Sequence, residues 1–545
     1  MRATEDDLRA ALRVHAQRMD EYRQGKLTAD EFRRVRVSYG LYYELEHTSH
    51  LQRIKVPGGV LSAAQAEELA DIADEHGRGR IHVTTRQNVQ LHWVDLSKVM
   101  EIYARLDNVG ITSRGAAGDT VRNVTGCCHA GIGPDELFDV RPYVSATDEH
   151  FLFHPLNLSL PRKFKVAFSS CAADCVQARV NDIGFFTHRR DGVDGFSVYV
   201  AGGLGAQPFL AYPLREFVPA EDTLIVVEAV LRLWNRSGER KNRKKARVKH
   251  LFQRLGAERF LAAVERECAA VEMEQGDALR AEMRAAVAGF TESAPSYPPS
   301  PLPEIGDSDC AGWLRSNVFQ QKQAGYYAAT MVLPLGEITG AQLRGAAKLA
   351  SAFAAGELRL TVDQNLMMPW IPGAHVAAVY QELQGLGLSA AGALSITDVV
   401  SCPGADYCGL AVSRSMHVAT SIREHLLAKN GSLAELGAFR IRVSGCPNSC
   451  GQHHTGDIGL TGLKVKGTDG QSHPHYSLLL GGRVGESTAT IGHRVSGRFP
   501  EEDVPKVLAA LAECYSRERQ PGECFGELVQ RLGMARLTEV ARSAA

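Results

Sequence analysis

Cys402-Pro-Gly-Ala-Asp-Tyr-Cys408 and Cys446-Pro-Asn-Ser-Cys450 set four thiols as C-x5-C, 37 intervening residues, then C-x3-C. Four soft thiolates can hold an iron–sulfur cluster or a zinc ion. Structural zinc favours spacings of two to four residues, which C-x5-C exceeds. Glycine and proline beside the cysteines suit loops whose backbone approaches a bulky inorganic cluster. Spacing alone favours a cluster and leaves zinc, or unliganded buried thiols, as alternatives. A second group, Cys127, Cys171 and Cys175, could bind another cluster with an outside ligand. The favoured reading of these three is apolar packing left over from a duplication. Cys268, Cys310, Cys514 and Cys524 lack ligand-like spacing and take a structural reading.

The segments that must position this chemistry come in two copies. Val56–Trp93 recurs as Leu333–Trp370, pairing Pro57, Gly59, Gln65, Thr84, Gln87, Asn88 and Trp93 with Pro334, Gly336, Gln342, Thr361, Gln364, Asn365 and Trp370 at one offset of 277. A fixed register of this length marks a duplication. Ser62 with Gln65, and Thr339 with Gln342, are capping boxes that open a helix in each copy. Apolar positions at helical spacing (Leu69, Ile72, Ala73) follow, ending in turns near Gly77–Gly79 and Gly356. Alternating apolar and polar residues then predict half-buried strands over Ile81–Trp93 and Leu358–Trp370. A weaker echo at offset 275 lays Cys171, Cys175 and Asp182 over Cys446, Cys450 and Asp457. Cys127 lies over Cys402, whereas Gly133 stands where the second half has Cys408. Ser293–Glu304 is proline-rich and reads as an extended connector between the halves.

Composition narrows the class. The 545 residues predict three to four domain-sized units at ~150 residues each. Lys+Arg 61 against Asp+Glu 62 leaves a net charge of −1, so no global charge advertises nucleic acid or an anionic membrane. No run of about 18 apolar residues predicts a membrane span. The amino-terminal stretch lacks the apolar core of a signal peptide, and the expected location is cytoplasmic. Twelve cysteines there point to metal or redox chemistry rather than disulfides.

The paired cysteine motifs, together with the duplication, resemble the sulfite and nitrite reductases that couple a [4Fe–4S] cluster to sirohaem. The resemblance implies an α+β fold of two pseudo-symmetric halves. Each half would have a ferredoxin-like parachute piece and a mixed α/β lobe, with the cofactors at the interface. The implied division is 1–45 helical extension, 46–115 first ferredoxin-like repeat and 116–292 first lobe. After the 293–306 linker come 307–390, the second repeat, and 391–545, the lobe carrying the cluster ligands. Cys402, Cys408, Cys446 and Cys450 would hold the cluster, with Cys450 bridging to the sirohaem iron and Asn448 close to the macrocycle.

An oxyanion substrate needs fixed cations and a proton supply. By resemblance these are Arg86, in Thr84-Thr85-Arg86-Gln87-Asn88, then Arg122, Lys163 and Lys165. The second copy has Asp363 where the first has Arg86, so one half alone keeps the cation. Arg162 resembles a residue that pairs with a sirohaem carboxylate. The run Arg236–His250 holds eight Lys/Arg in fifteen residues. Alone it suggests nucleic acid or a solvated helix, but the eight carboxylates of sirohaem are another partner. Arg243, Lys244, Arg247 and Lys249 are carried over in that role, and nucleic-acid binding is not expected. Gly202-Gly203-Leu204-Gly205 lacks the helix and acidic partner of a dinucleotide site. Electrons would therefore come from a ferredoxin or a flavoprotein subunit. Lysine at 165, after Phe164, is the sulfite-branch pattern where plant-type nitrite reductases typically have asparagine after tryptophan. The expected activity is thus assimilatory six-electron reduction of sulfite to sulfide, with ferredoxin-dependent nitrite reduction to ammonia as the alternative.

Overall fold

A computed structural model describes residues 5–45, 49–292, 294–306, 308–429, 433 and 436–545. Two five-stranded sheets are built alike. The first runs Leu41–Tyr43, His50–Ile54, Val89–Val94, Arg80–Val83 and then Glu337–Thr339. The second runs Val318–Gln320, Tyr326–Met331, Leu366–Pro372, Glu357–Leu360 and then Val60–Ser62. The last strand of each sheet belongs to the other half of the chain. Its register sets Ile338 opposite Ile81 and Leu358 opposite Leu61. Leu61 and Ile338 are buried, and full burial of such a side chain contributes about 1.5–3 kcal/mol.

The exchange follows from local sequence. Each swapped strand is three residues long and runs directly into a helix, Ala63–His76 or Gly340–Phe353, through the expected capping box. Those helices pack on one another across the pseudo-symmetry axis. Gly340 permits the approach, since a Cβ there would lie 2.8 Å from the Ala70 carbonyl. The helices Glu5–Arg23 and Ala29–Ser38 precede the first sheet and add Met19 and Phe32 to a core shared by both sheets.

The segments 81–93 and 358–370 differ from the alternation-based reading. Each is a hairpin of two strands, buried on both faces over most of its length, rather than one half-buried strand. Thr84 N donates to Asn88 O and Thr361 N to Asn365 O, both at 2.9 Å, closing turns that place Gln87 (φ 55°) and Gln364 (φ 64°) in the left-handed region. Both glutamines reach into the opposite half: Gln87 Nε2 donates to Leu360 O at 3.0 Å, and Gln364 Nε2 to Val83 O at 2.9 Å. The repeated Thr-x-x-Gln-Asn is therefore the tie between halves.

Each half continues into a lobe with its own core. In the first, Thr125–Gly126, Val166–Ser169 and Ile183–Arg190 are parallel, followed by the antiparallel Val193–Val200 and Tyr212–Pro219. In the second, Val400–Ser401, Ile441–Ser444 and Ile458–Lys466 repeat that order and are followed by the antiparallel Ser472–Leu480. The cysteine motifs start one or two residues beyond the carboxyl ends of the first two parallel strands in each lobe, where open α/β sheets bind ligands. The proline-rich connector has no helix or strand among its described residues. No helix among the described residues is long and apolar enough to cross a membrane.

Candidate functional site

The thiols of the second lobe converge. Cys402 Sγ accepts from Gly445 N at 3.3 Å, and Cys402, Cys408 and Cys446 all feel the charge of Cys450. The loop walls leave no room for side chains. Gly404 sits at φ +64°, and a Cβ there would lie 2.3 Å from Ser415 Oγ. Burial pushes the Cys402 thiol up to about 12 and raises Cys408 and Cys446 as well. Such thiols ionise only when a cationic partner compensates them, as bound iron does. Cys450 is exposed at the rim. Asn448 is also exposed and hydrogen-bonds the Cys446 thiol.

The first half supplies the wall facing Cys450. Thr85 Oγ1 donates to Cys450 O at 2.8 Å, and Gln452 Nε2 donates to Thr85 O at 3.2 Å. Arg86 is the next residue on the same turn. The guanidinium donates to Asn181 Oδ1 at 2.9 Å and Asn123 O at 2.6 Å, while its buried Nε has no partner among the described residues. Arg122 is held by Gly118 O at 2.9 and 3.1 Å. Lys163 and Lys165 flank the buried Phe164, which stacks on Trp234 at 5.5 Å, so alternation turns both ammonium groups to the same side.

These four cations are half-buried yet strongly desolvated, the condition of groups lining a recess. Burial lowers Arg86 to about 9, Arg122 to about 10 and Lys163 to about 7, and holds Lys165 well below its ordinary range. Neighbouring cations deepen each shift: Arg122 and Arg247 act on Arg86, and Arg86 and Lys163 act on Lys165. Cys450 lies close enough to Lys163 to favour its charged form, against burial and the neighbouring arginines. A recess lined this way lacks negative charge and calls for an anionic occupant.

The remaining predicted cations divide. Arg162 and Arg243 both pair with Asp119, at 3.5 and 2.8 Å. Arg247 pairs with the fully buried Asp182 at 2.7 Å. Lys249 donates to Gly203 O and Leu204 O at 3.2 and 3.0 Å, bracing the glycine loop, and burial lowers it to about 8. Lys244 is exposed. Arg162, Arg243 and Arg247 thus reach the recess already partnered, and Arg247 raises its positive potential.

Sequence reasoning missed Arg53 and Tyr42. Arg53 adds repulsion to Arg86 and Arg122, and its guanidinium lies 5.5 Å from the Tyr42 ring. Arg122 and Arg53 lower the half-buried Tyr42 phenol against the opposing effect of burial. Neither residue belongs to a motif, so no local signal marks them. Asp182 was visible in the repeat without a role. It accepts from Lys165 N at 2.9 Å, as Asp457 accepts from Arg440 N at 2.8 Å.

Residues 117–271 and 392–545 match the family model described as nitrite and sulphite reductase 4Fe-4S domain. Residues 44–109 and 319–386 match the nitrite/sulfite reductase ferredoxin-like half domain. The chain belongs to the nitrite and sulphite reductase family. A ferredoxin–nitrite reductase of Synechococcus elongatus is 34% identical over 468 residues, covering 85% of each chain. The assimilatory ferredoxin-dependent nitrite reductase of Haloferax mediterranei is 30% identical across 89% of this chain and 82% of that one. A chloroplastic ferredoxin–nitrite reductase of Oryza sativa is 31% identical across 93% and 82%. The solved structure of Mycobacterium tuberculosis NirA superposes with a TM-score of 0.81 at 25% identity, covering 97% of this chain and 95% of that one.

Family membership brings a [4Fe–4S] cluster and sirohaem as cofactors, and the residues present fit both. The four thiols, two of them buried, suit the cluster, and the excess of cations suits a polycarboxylate macrocycle. The sulfite reading does not stand, because these relatives are named for nitrite. That reading rested on Lys165 and Phe164. An ammonium group neutralises either oxyanion and can deliver protons to either, so a lysine at this position does not select the substrate.

Proposed function

We propose that this reductase converts nitrite to ammonia with six electrons supplied by a ferredoxin, consuming protons and releasing two waters. The observation that carries the reading is the tie from Thr85 to Cys450, which joins the turn bearing Arg86 to the cysteine motif, next to a group of desolvated, half-buried cations. The names of the relatives support both nitrite and ferredoxin.

Cys402, Cys408, Cys446 and Cys450 would hold the cluster, and Cys450 would also help to hold the sirohaem. Arg162, Arg243, Lys244, Arg247 and Lys249 would face its carboxylates, and Asn448 would lie against the ring. When bound, the pair would relay the donor's electrons to the anion at an iron. Arg86 and Arg122 keep their charge at neutral pH and bind the anion. Lys163 and Lys165, desolvated beside them, hold protons loosely enough to give them to oxygen leaving as water. Asp182 fixes the backbone at Lys165 and the Arg247 guanidinium at once.

Anaerobic turnover with reduced ferredoxin and either anion tests the assignment. The expected kcat/KM favours nitrite over sulfite by about tenfold or more. Equal or better use of sulfite overturns it.

A further inference from the structure

The first lobe carries its own convergence of thiols at the position equivalent to the cluster motif. Cys127 follows the strand Thr125–Gly126 as Cys402 follows Val400–Ser401. Cys127 Sγ and Cys175 Sγ are 3.0 Å apart, and a ring nitrogen of His129 lies within 4.8 Å of both. Cys128, the next residue, is a further buried thiol, and Cys175 and His129 both act on it. Cys127 and Cys128 are buried, whereas His129 and Cys175 retain partial exposure that leaves an entry path.

We propose that Cys127, Cys128, His129 and Cys175 form a mononuclear zinc site, the contracted counterpart of the cluster site in the other half. Three thiolates and one imidazole in a closed, mostly buried set are the donors that structural zinc takes. Two sulfurs on a tetrahedral zinc at about 2.3 Å each lie roughly 3.8 Å apart. The Cys127–Cys175 pair therefore separates by less than an ångström on binding. A cube does not fit, because its cysteines bond separate irons and must stand further apart. Gly133 also removes the fourth cluster ligand. Soft thiolates with imidazole select zinc over the hard divalent ions.

The surroundings hold the donors in place. Ala130 N donates to Cys127 O at 3.1 Å, closing the turn that carries Cys127, Cys128 and His129. Arg359 of the second half, fully buried, donates to Cys128 O at 2.8 Å and Ala130 O at 2.7 Å. Phe319 sets its ring edge-on to His129 at 5.0 Å between centroids. A metal in this turn would join the loop after the first strand to the loop carrying Cys175, where Arg359 and Phe319 of the second half already pack.

Metal analysis of anaerobically purified holoenzyme from zinc-supplemented cells tests the site, with X-ray absorption at the zinc edge. The expected result is one zinc per chain with three sulfurs at about 2.3 Å and one nitrogen at about 2.0 Å. His129→Gln and Cys175→Ser should lose zinc while keeping iron and sirohaem at wild-type levels. Substoichiometric zinc in the unmodified enzyme overturns the proposal. So does a zinc shell without sulfur, zinc retained by both variants, or additional iron in place of zinc. A Cys127–Cys175 disulfide in the intact holoenzyme, seen as a mass loss of two hydrogens, also refutes it. The unmodified protein decides the matter even if either variant fails to fold.

Discussion

Lys163 concentrates the electrostatics of the recess in one group that titrates. Its ordinary value is 10.5, and burial brings it to about 7. A lysine lowered in the folded state binds fewer protons there than when unfolded, so stability rises with pH between those two values. Below about 7 the charge is retained in both states and the full cost of burying it is present. Lys165, Lys249, Arg86 and Arg122 shift in the same direction. Protein prepared without sirohaem should therefore resist urea better at pH 9 than at pH 7. Lys163→Met should shrink that difference, and a flat profile in the unmodified protein would refute the account. Arg86 keeps its charge at neutral pH and, on the proposed function, binds the anion with it. Arg86→Gln should lower kcat by roughly 10²–10³-fold, the cost of one preorganised donor at a developing charge, with cofactor content unchanged. Cys450→Ser should lose about four irons per chain, since a hydroxyl is a poor soft ligand for a [4Fe–4S] cluster. Iron analysis showing full content would remove Cys450 from the ligand set. The cysteine motifs were legible as a set from residue types and spacing, which favoured a cluster and left zinc or unliganded thiols open. Arg53 and Tyr42 were not, because only tertiary folding brings them to the recess.

At the level of elements, the capping boxes and the repeat were legible, whereas the hairpins were not. Two paired strands joined by a five-residue turn keep the same parity, so alternation reads straight through Thr84–Asn88. The turn also hides its bend, because the left-handed position is occupied by Gln87 rather than glycine. That choice has a reason: the Gln87 side chain crosses to Leu360 O and Gly126 O, at 3.0 and 2.9 Å. Glycine could make the turn but not the tie. The crossing leaves little space elsewhere. Gly59 sits at φ +76°, and a Cβ there would meet Leu360 O at 2.4 Å and Gln87 Cβ at 3.0 Å. Gly59→Ala should thus combine backbone strain with a clash against the tie and cost about 3 kcal/mol or more. Gly110 has a similar φ, +72°, and nothing within 4 Å of a Cβ. Gly110→Ala should cost about 1–2 kcal/mol, from strain alone. Denaturant titration of both variants separates crowding from conformation, and equal losses would discount the close approach.

For the molecule as a whole, duplication and strand exchange have opposite consequences for how separable the halves are. A duplicated chain with a proline-rich connector invites the reading of two units on a string. The topology denies it, since each five-stranded sheet is completed by a strand from the other half. One apolar core also draws Leu61, Ile81, Ile338 and Leu358 together from both. Polar ties repeat the pattern: Thr85 reaches Cys450 O, and the side-chain amides of Gln177 and Gln452 lie 2.7 Å apart near the pseudo-axis. The connector is fastened to the second repeat, with Ser300 O accepting from Gly373 N at 3.0 Å, and leaves Pro303 and Glu304 exposed. The recess needs both halves, because its cations come from the first and its cluster thiols from the second. A protease site inserted after Pro303 should therefore be cleavable in the folded holoenzyme without separating the fragments. They should co-elute on size exclusion, keep full iron and sirohaem, and turn over nitrite at close to the uncut rate. Either fragment made alone should lack the strand that completes its sheet and remain largely insoluble, with that edge unpaired. Fragments that part on cleavage, or a half that folds and loads iron by itself, would show that the exchanged strands do not lock the two repeats together.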